Sequence, residues 1–321
     1  MNQMPPPATQ PDRSTSVVGL AVLATLILGV AVWMYTQRPA ASILGGAGSA
    51  VPSGATPSDL PGFQPDVWYL PDDDLLGFVE IPEGPFQMGG DPTTDRQAFE
   101  NERWSPTAAQ GTVSLPTFYI SRFEVTVAQF AAFVGATGFN VGDATLQGRP
   151  NHPVSSVSWP DALAYTRWLD ATLRESPQTP PALSQLLRDS WKVTLPSEAE
   201  WEKAARGTDG RIYPWGNAAR SERANYQGEG TTPVGAYLCP DCPYGLLDMS
   251  GNVWEWTRSP YQPYPYDPAN DREGLGDDAL WVMRGGSFTD PERNARTATR
   301  GGGDPGARRP FMGFRVAISP S

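Results

Sequence analysis

The sequence predicts a single α+β domain, irregular and turn-rich, placed behind an N-terminal apolar segment. Three observations carry that expectation. Helix-start signals appear three times, at Thr126, Ser158 and Ser197. Short β-type runs alternate with Gly and Pro turns through the rest of the chain. The 321 residues include 11 Trp beside 33 Gly and 34 Pro, which points to an aromatic core closed by turns and not to a disordered chain.

Residues 1–16 form an N-terminal tail. Val17 to Tyr35 is 19 residues without a charge, close to the ~20 that cross a bilayer as a helix. Trp33 and Tyr35 at its end suit a membrane interface. Arg13 and Arg38 flank it, so the charge bias does not fix its orientation. Ala40, Ala41 and Ser42 offer a cleavage site, but no such site directly follows the segment. The expectation is an uncleaved signal anchor in the inner membrane, with the C-terminal bulk on the periplasmic side. Residues 36–75 are rich in Ala, Gly, Ser and Pro and predict a flexible linker. Residues 76–321 then form one domain of ordinary size.

Thr126-Val-Ala-Gln129 is a capping box that opens a helix with Phe130 and Phe133 on one face. Ser158-Trp-Pro-Asp161 opens the second helix, with Pro160 in the first turn, where it is tolerated. Its apolar stripe is Ala162, Tyr165, Leu169 and Leu173, at spacings of three and four. Ser197-Glu-Ala-Glu200 opens the third, with Trp201, Ala204 and Ala205 inside and Gly207 as the stop. Strands are expected at Phe118-Tyr-Ile120, Val193-Thr-Leu195, Trp281-Val-Met-Arg284 and Phe314-Arg-Val-Ala317.

Charge and residue types exclude several functions. A net charge of −11 disfavours binding to nucleic acid by counterion release and to an anionic membrane surface. There is no phosphate loop, nucleophile elbow or HExxH helix. His152 is the only histidine, so no multi-histidine metal centre can form; it is expected to pack or cap a turn before Pro153. Cys239 and Cys242 are the only thiols. Their spacing allows a structural disulfide, a redox pair, or half of a tetrahedral metal site that lacks a second half. Arg284, Arg293, Arg296, Arg300, Arg308, Arg309 and Arg315 crowd the C-terminal region. They either build an anion pocket or pair with the 35 acids of the chain. Within Tyr244 to Trp256, Asp248 and Glu255 flank a Gly251-Asn252 turn. Carboxylates and carbonyls around a tight turn suit a hard cation such as calcium. The plainer alternative is a turn with two solvated acids and two core tryptophans.

A longer pattern joins these pieces. It runs through Ile81-Pro-Glu-Gly-Pro-Phe-Gln-Met-Gly89, Phe123-Glu-Val-Thr126, His152 to Asp161, Leu195 to Gly207 and Tyr213-Pro-Trp-Gly-Asn217. It continues through Tyr244 to Trp256, Arg284-Gly-Gly-Ser-Phe288 and Gly313-Phe-Arg-Val-Ala317. In this order the set resembles the formylglycine-generating-enzyme family, also called the sulfatase-modifying-factor family, over roughly residues 76 to 319. The resemblance implies an irregular variant of the C-type-lectin fold. It also implies an oxidase that converts a substrate cysteine to formylglycine through two C-terminal cysteines holding copper(I), an ion that soft thiolates select. The matching positions here are Asp290 and Ala295, so copper-dependent oxidation is not expected.

The resemblance further implies one structural calcium, held by the side chains of Asp248 and Glu255 and the carbonyls of Gly251 and Val253. A second calcium, at positions matching Asn225 and Tyr226 and an acidic loop before Pro233, is not expected, because the loop is shortened to Gln227-Gly-Glu-Gly-Thr-Thr232. Relatives usually carry a short Pro- or Asn-containing loop at the CxxC position, which makes a Cys239–Cys242 disulfide a local staple. The functional expectation is a binding or maturation-accessory module that docks a periplasmic protein or membrane complex through the family's peptide cleft. The alternatives are a divergent oxidase acting on a protein or peptide, and a small-ligand binder.

Overall fold

The computed structural model describes residues 60–271 and 279–320. The tail, the apolar segment 17–35 and the linker up to residue 59 lie outside the described residues. Among the described residues no helix is long and apolar enough to cross a membrane.

Each of the three capping signals starts a helix. Helix α1 spans Val127–Thr137; Thr126 and Gln129 cap one another reciprocally, and Gly138 ends it at φ 66°. Helix α2, Trp159–Glu175, uses the same box between Ser158 and Asp161. A further helix, α3 at Pro181–Arg188, was not expected. It has no side-chain N-cap and is held by Leu183 and Leu187, so its only sequence signal was a leucine spacing after Pro180-Pro181. Helix α4, Glu198–Arg206, starts at the Ser197–Glu200 box and stops at Gly207.

The strands fall into two four-stranded sheets and two hairpins. One hairpin pairs β1 (Phe63–Gln64) with β2 (Leu70–Pro71). The first sheet sets β3 (Phe78–Ile81), β6 (Phe118–Ser121), β12 (Ala317–Pro320) and β7 (Trp191–Thr194) side by side, all antiparallel. Between β3 and β6 the chain makes the second hairpin, β4 (Gly84–Met88) with β5 (Gly111–Leu115). The second sheet has the order β10 (Arg300–Gly303), β9 (Trp281–Arg284), β8 (Trp254–Pro260) and β11 (Met312–Gly313), with β11 parallel to β8.

Two expectations need correction. Residues 60–75 are not linker. Leu60, Val67 and Leu70 are buried, and the β1–β2 hairpin covers the aromatic core. Their apolar residues are too sparse to show a period, yet together they close one side. Nor is Phe314–Ala317 one strand. The chain leaves the second sheet at Gly313 and enters the first at Ala317. Phe314 and Val316 join the aromatic core, while Arg315 turns to a buried acid.

The largest core cluster lies between α1, α2 and the sheets. Phe130, Phe133, Tyr165, Trp168 and Phe314 contact one another in pairs, with ring centroids 5.3–6.1 Å apart.

Candidate functional site

The Tyr244–Trp256 stretch is coiled by left-handed backbone at Tyr244, Asp248, Gly251 and Asn252, with φ between 57° and 77°. Gly251 is obligatory, because a Cβ there would stand 2.2 Å from the Asn225 carbonyl oxygen. The Gly251 amide donates to the Gly285 carbonyl at 2.8 Å, and the Phe288 amide donates to the Asn252 carbonyl at 3.0 Å. These bonds lock the stretch against the Arg284–Phe288 motif.

Asp248 and Glu255 are thereby brought together with a third acid, Glu124, that sequence reasoning assigned no role. Its signal was an acid inside the apolar run Phe123-Glu-Val125. Arg315 forks both oxygens of Glu255, at 2.6 and 2.7 Å, and the Trp201 indole donates to Glu255 Oε2 at 2.6 Å. Asp248 Oδ2 accepts the Gly235 amide at 2.6 Å. Glu124 accepts from Asn252 Nδ2 at 3.0 Å, while its Oε1 has no partner. Three carboxyls thus face one guanidinium. Burial first, and then the charges of Asp248 and Glu255, push Glu124 well above the usual carboxylate range. Burial likewise raises Asp248 to about 6.

The four residues expected to hold calcium fit it only in part. The excess of acid would welcome a cation, but Glu255 is already spent on Arg315 and Trp201. Among the described residues no three His, Cys, Asp or Glu side chains gather as a metal site.

Asp290 stands beside this cluster as a structural tie. Its Oδ2 accepts from Trp254 Nε1 at 2.8 Å, Ser287 N at 3.0 Å and Ser287 Oγ at 2.6 Å, and its Oδ1 accepts from Asn294 Nδ2 at 2.5 Å. Ala295 is fully buried, and its carbonyl accepts from Ser250 Oγ at 2.6 Å. Neither position offers a reactive group.

The C-terminal arginines are mostly internal. Arg284 pairs with Glu202 and lies 3.6 Å from Glu198; Arg300 forks Glu198 at 2.7 Å; Arg296 pairs with Asp95 and Glu102, each at 2.6 Å. Arg293 lies over the Phe99 ring and Arg308 pairs with Asp161. Pairing, not an anion pocket, is their main work. His152 packs as expected, with Nδ1 2.9 Å from Thr231 Oγ1, and burial holds its pKa below the usual value. Cys239 and Cys242 are joined in a disulfide.

An open cleft of about 440 Å³ runs beside the second sheet, lined by Asn101, Trp104, Tyr261, Gln262, Tyr264 and Arg300 among others. Arg300 holds its walls. The guanidinium lies 4.0 Å from the Tyr264 ring and 4.9 Å from that of Tyr261, and it donates to the Gln262 carbonyl at 2.9 Å. Asn101 Nδ2 donates to the Tyr261 hydroxyl at 2.8 Å. Sequence reasoning missed this cleft, although Tyr261-Gln-Pro-Tyr-Pro-Tyr266 was a visible signal.

The family model for the sulfatase-modifying factor enzyme 1-like domain matches residues 69–320. The chain belongs to this family. A formylglycine-generating enzyme of Thermomonospora curvata is 32% identical, over 78% of this chain and 96% of its own length. The inactive C-alpha-formylglycine-generating enzyme 2 of Mus musculus is 36% identical, over 52% of this chain and 49% of its own. The solved structure of PvdO from Pseudomonas aeruginosa superposes with a TM-score of 0.61 at 26% identity, over 75% of this chain and 94% of that one. Within the sulfatase-modifying-factor family, the chain is a mixed α/β domain similar in fold to that structure.

Proposed function

We propose that this protein is a membrane-anchored binding or maturation-accessory module, not a copper-dependent cysteine oxidase. The observation that carries the reading is Asp290, which spends both carboxyl oxygens on four hydrogen bonds where the oxidase needs a thiolate. A group so committed supports architecture and leaves nothing to bind copper(I). The docking surface in this reading is the cleft of Trp104, Tyr261 and Tyr264. Aromatic walls fixed before binding lose little conformational freedom on association.

The anchor at 17–35 and the periplasmic placement belong to the same proposal, supported by the uncharged apolar run. Affinity purification of the detergent-solubilised full-length protein tests it. One stoichiometric periplasmic or membrane partner, lost with Trp104→Ala and Tyr264→Ala in folded protein, is the expected result. Copper uptake with oxygen-dependent modification of a cysteine peptide would overturn it. A single structural calcium at Asp248, Gly251, Val253 and Glu255 is supported by the excess acid and opposed by the Arg315 fork. A clear rise in melting temperature with calcium over chelator would establish it, and an unchanged melt would remove it.

A further inference from the structure

We propose that the Cys239–Cys242 disulfide is a reversible redox centre that takes two electrons from a pair of cysteine thiols on a partner protein. The first ground is that hydrogen bonds not involving the sulfurs also hold the loop. The Cys242 amide donates to the Cys239 carbonyl at 3.1 Å. Arg223 Nη1 donates to the Leu238 carbonyl at 2.9 Å, and Arg211 Nη1 donates to the Asp241 carbonyl at 2.7 Å. Arg211 is itself held by Asp209 and by the Pro214 carbonyl. Opening the disulfide breaks none of these bonds.

The second ground is energetic. A cross-link stabilises mainly by restricting the unfolded chain, and the effect grows with the loop it closes. With a sequence separation of 3, this bond constrains the unfolded chain less than a long-range cross-link would. It is a weaker staple than a bond between distant segments, and its opening costs the fold correspondingly less.

The third ground is access. Cys242 is only half-buried, Pro240 and Asp241 are exposed, and Leu238 is 71% exposed, which offers an apolar contact for a partner. An open cleft of about 560 Å³, lined by Arg211, Trp215, Asn217, Arg220 and Asp241 among others, adjoins the loop. Trp215 belongs to the same small cluster as Cys239, and Asp241, between the two cysteines, lines the cleft, so the cleft reaches the loop that carries the disulfide.

The exchange balances as follows. A partner thiolate attacks Cys242 Sγ; the S–S bond breaks, a mixed disulfide forms, and Cys239 leaves as a thiolate that takes up a proton. The second partner thiolate then attacks the first partner sulfur and releases Cys242. The partner dithiol ends as a disulfide, and Cys239 and Cys242 end as thiols.

The test equilibrates the full-length protein in glutathione buffers of graded ratio, with free thiols trapped by alkylation and counted by mass spectrometry. A synthetic two-cysteine peptide serves as the dithiol probe. The expected results are a reversible midpoint inside the glutathione range, a reduced form that melts close to the oxidised one, and one peptide disulfide formed per protein. Cys239→Ser incubated with the peptide in its oxidised, disulfide form should trap a mixed disulfide through Cys242, because the thiol that would resolve it is gone. A bond that stays closed in the most reducing glutathione buffer overturns the proposal, as does a reduced form that unfolds or an oxidised form that leaves the peptide dithiol intact. The double Cys239→Ser, Cys242→Ser variant keeps the aromatic cleft, so loss of redox exchange and loss of partner docking are separately visible.

Discussion

Helices α2 and α4 are fixed by opposite chemistry. Helix α2 buries Ala162, Leu163, Tyr165, Leu169 and Leu173 against other apolar groups, and Tyr165 stacks on Phe130 with centroids 5.7 Å apart. Helix α4 buries all nine of its residues, five of them charged. Glu198 and Glu202 meet Arg284 and Arg300, Glu200 meets Arg258, and Lys203 donates to the Pro82 carbonyl at 2.6 Å. The first helix needs only an apolar neighbour of suitable shape. The second needs particular partners, because a buried charge without one is costly. Side chains from distant strands thus decide where α4 sits.

The largest effect should come from breaking that second mode. Arg284→Leu removes the Nη2 ion pair from Glu202 Oε2 and strands the carbonyls of residues 297–299, and should cost about 3–5 kcal/mol in chemical denaturation. A double-mutant cycle with Glu202→Leu should show coupling of about 0.5–3 kcal/mol; simple additivity would mean the two helices are held alike after all.

In the apolar mode, Leu169→Ala should cost about 2–5 kcal/mol with no comparable coupling to any charged group. The carboxyl cluster gives a smaller, pH-dependent effect. The folded-state pKa of Asp248, about 6, lies above the ordinary 3.8, so the folded protein holds the extra proton. That contribution to stability is present at low pH and is lost as pH rises from 3.8 to about 6. Asp248→Asn should flatten this part of a melting-temperature profile taken in chelator.

The smallest effect belongs to Tyr165→Phe. The buried hydroxyl has no partner, and burial raises its pKa, so its removal should be neutral or stabilising by up to about 1 kcal/mol. A large loss would show that the aromatic core carries a polar tie.

The same contrast explains what could be read in advance. The faces of α1 and α2 were legible because apolar side chains repeat with the helical period and because Thr126 and Ser158 bond within four residues of themselves. The charged interior of α4 was not, since nothing local says that Glu202 will meet Arg284, 82 positions away. Asp248 and Glu255 were found because both flank one turn. Glu124 was missed because it joins them from 124 residues upstream of Asp248. The cleft was missed because Trp104 and Arg300 come from opposite ends of the domain.

By itself the sequence determined the caps, the apolar stripes, the family motifs and the turn at Gly251, all of which depend on neighbours within a few positions. Only the tertiary structure decided that Arg284, Arg296, Arg300 and Arg315 are internal ties and that three acids share one guanidinium. It also decided that Asp290 is consumed by hydrogen bonds and that residues 60–75 belong to the core. The physical reason is range: capping and periodicity act along the chain, whereas the desolvation of a charge is settled by whatever the fold brings beside it.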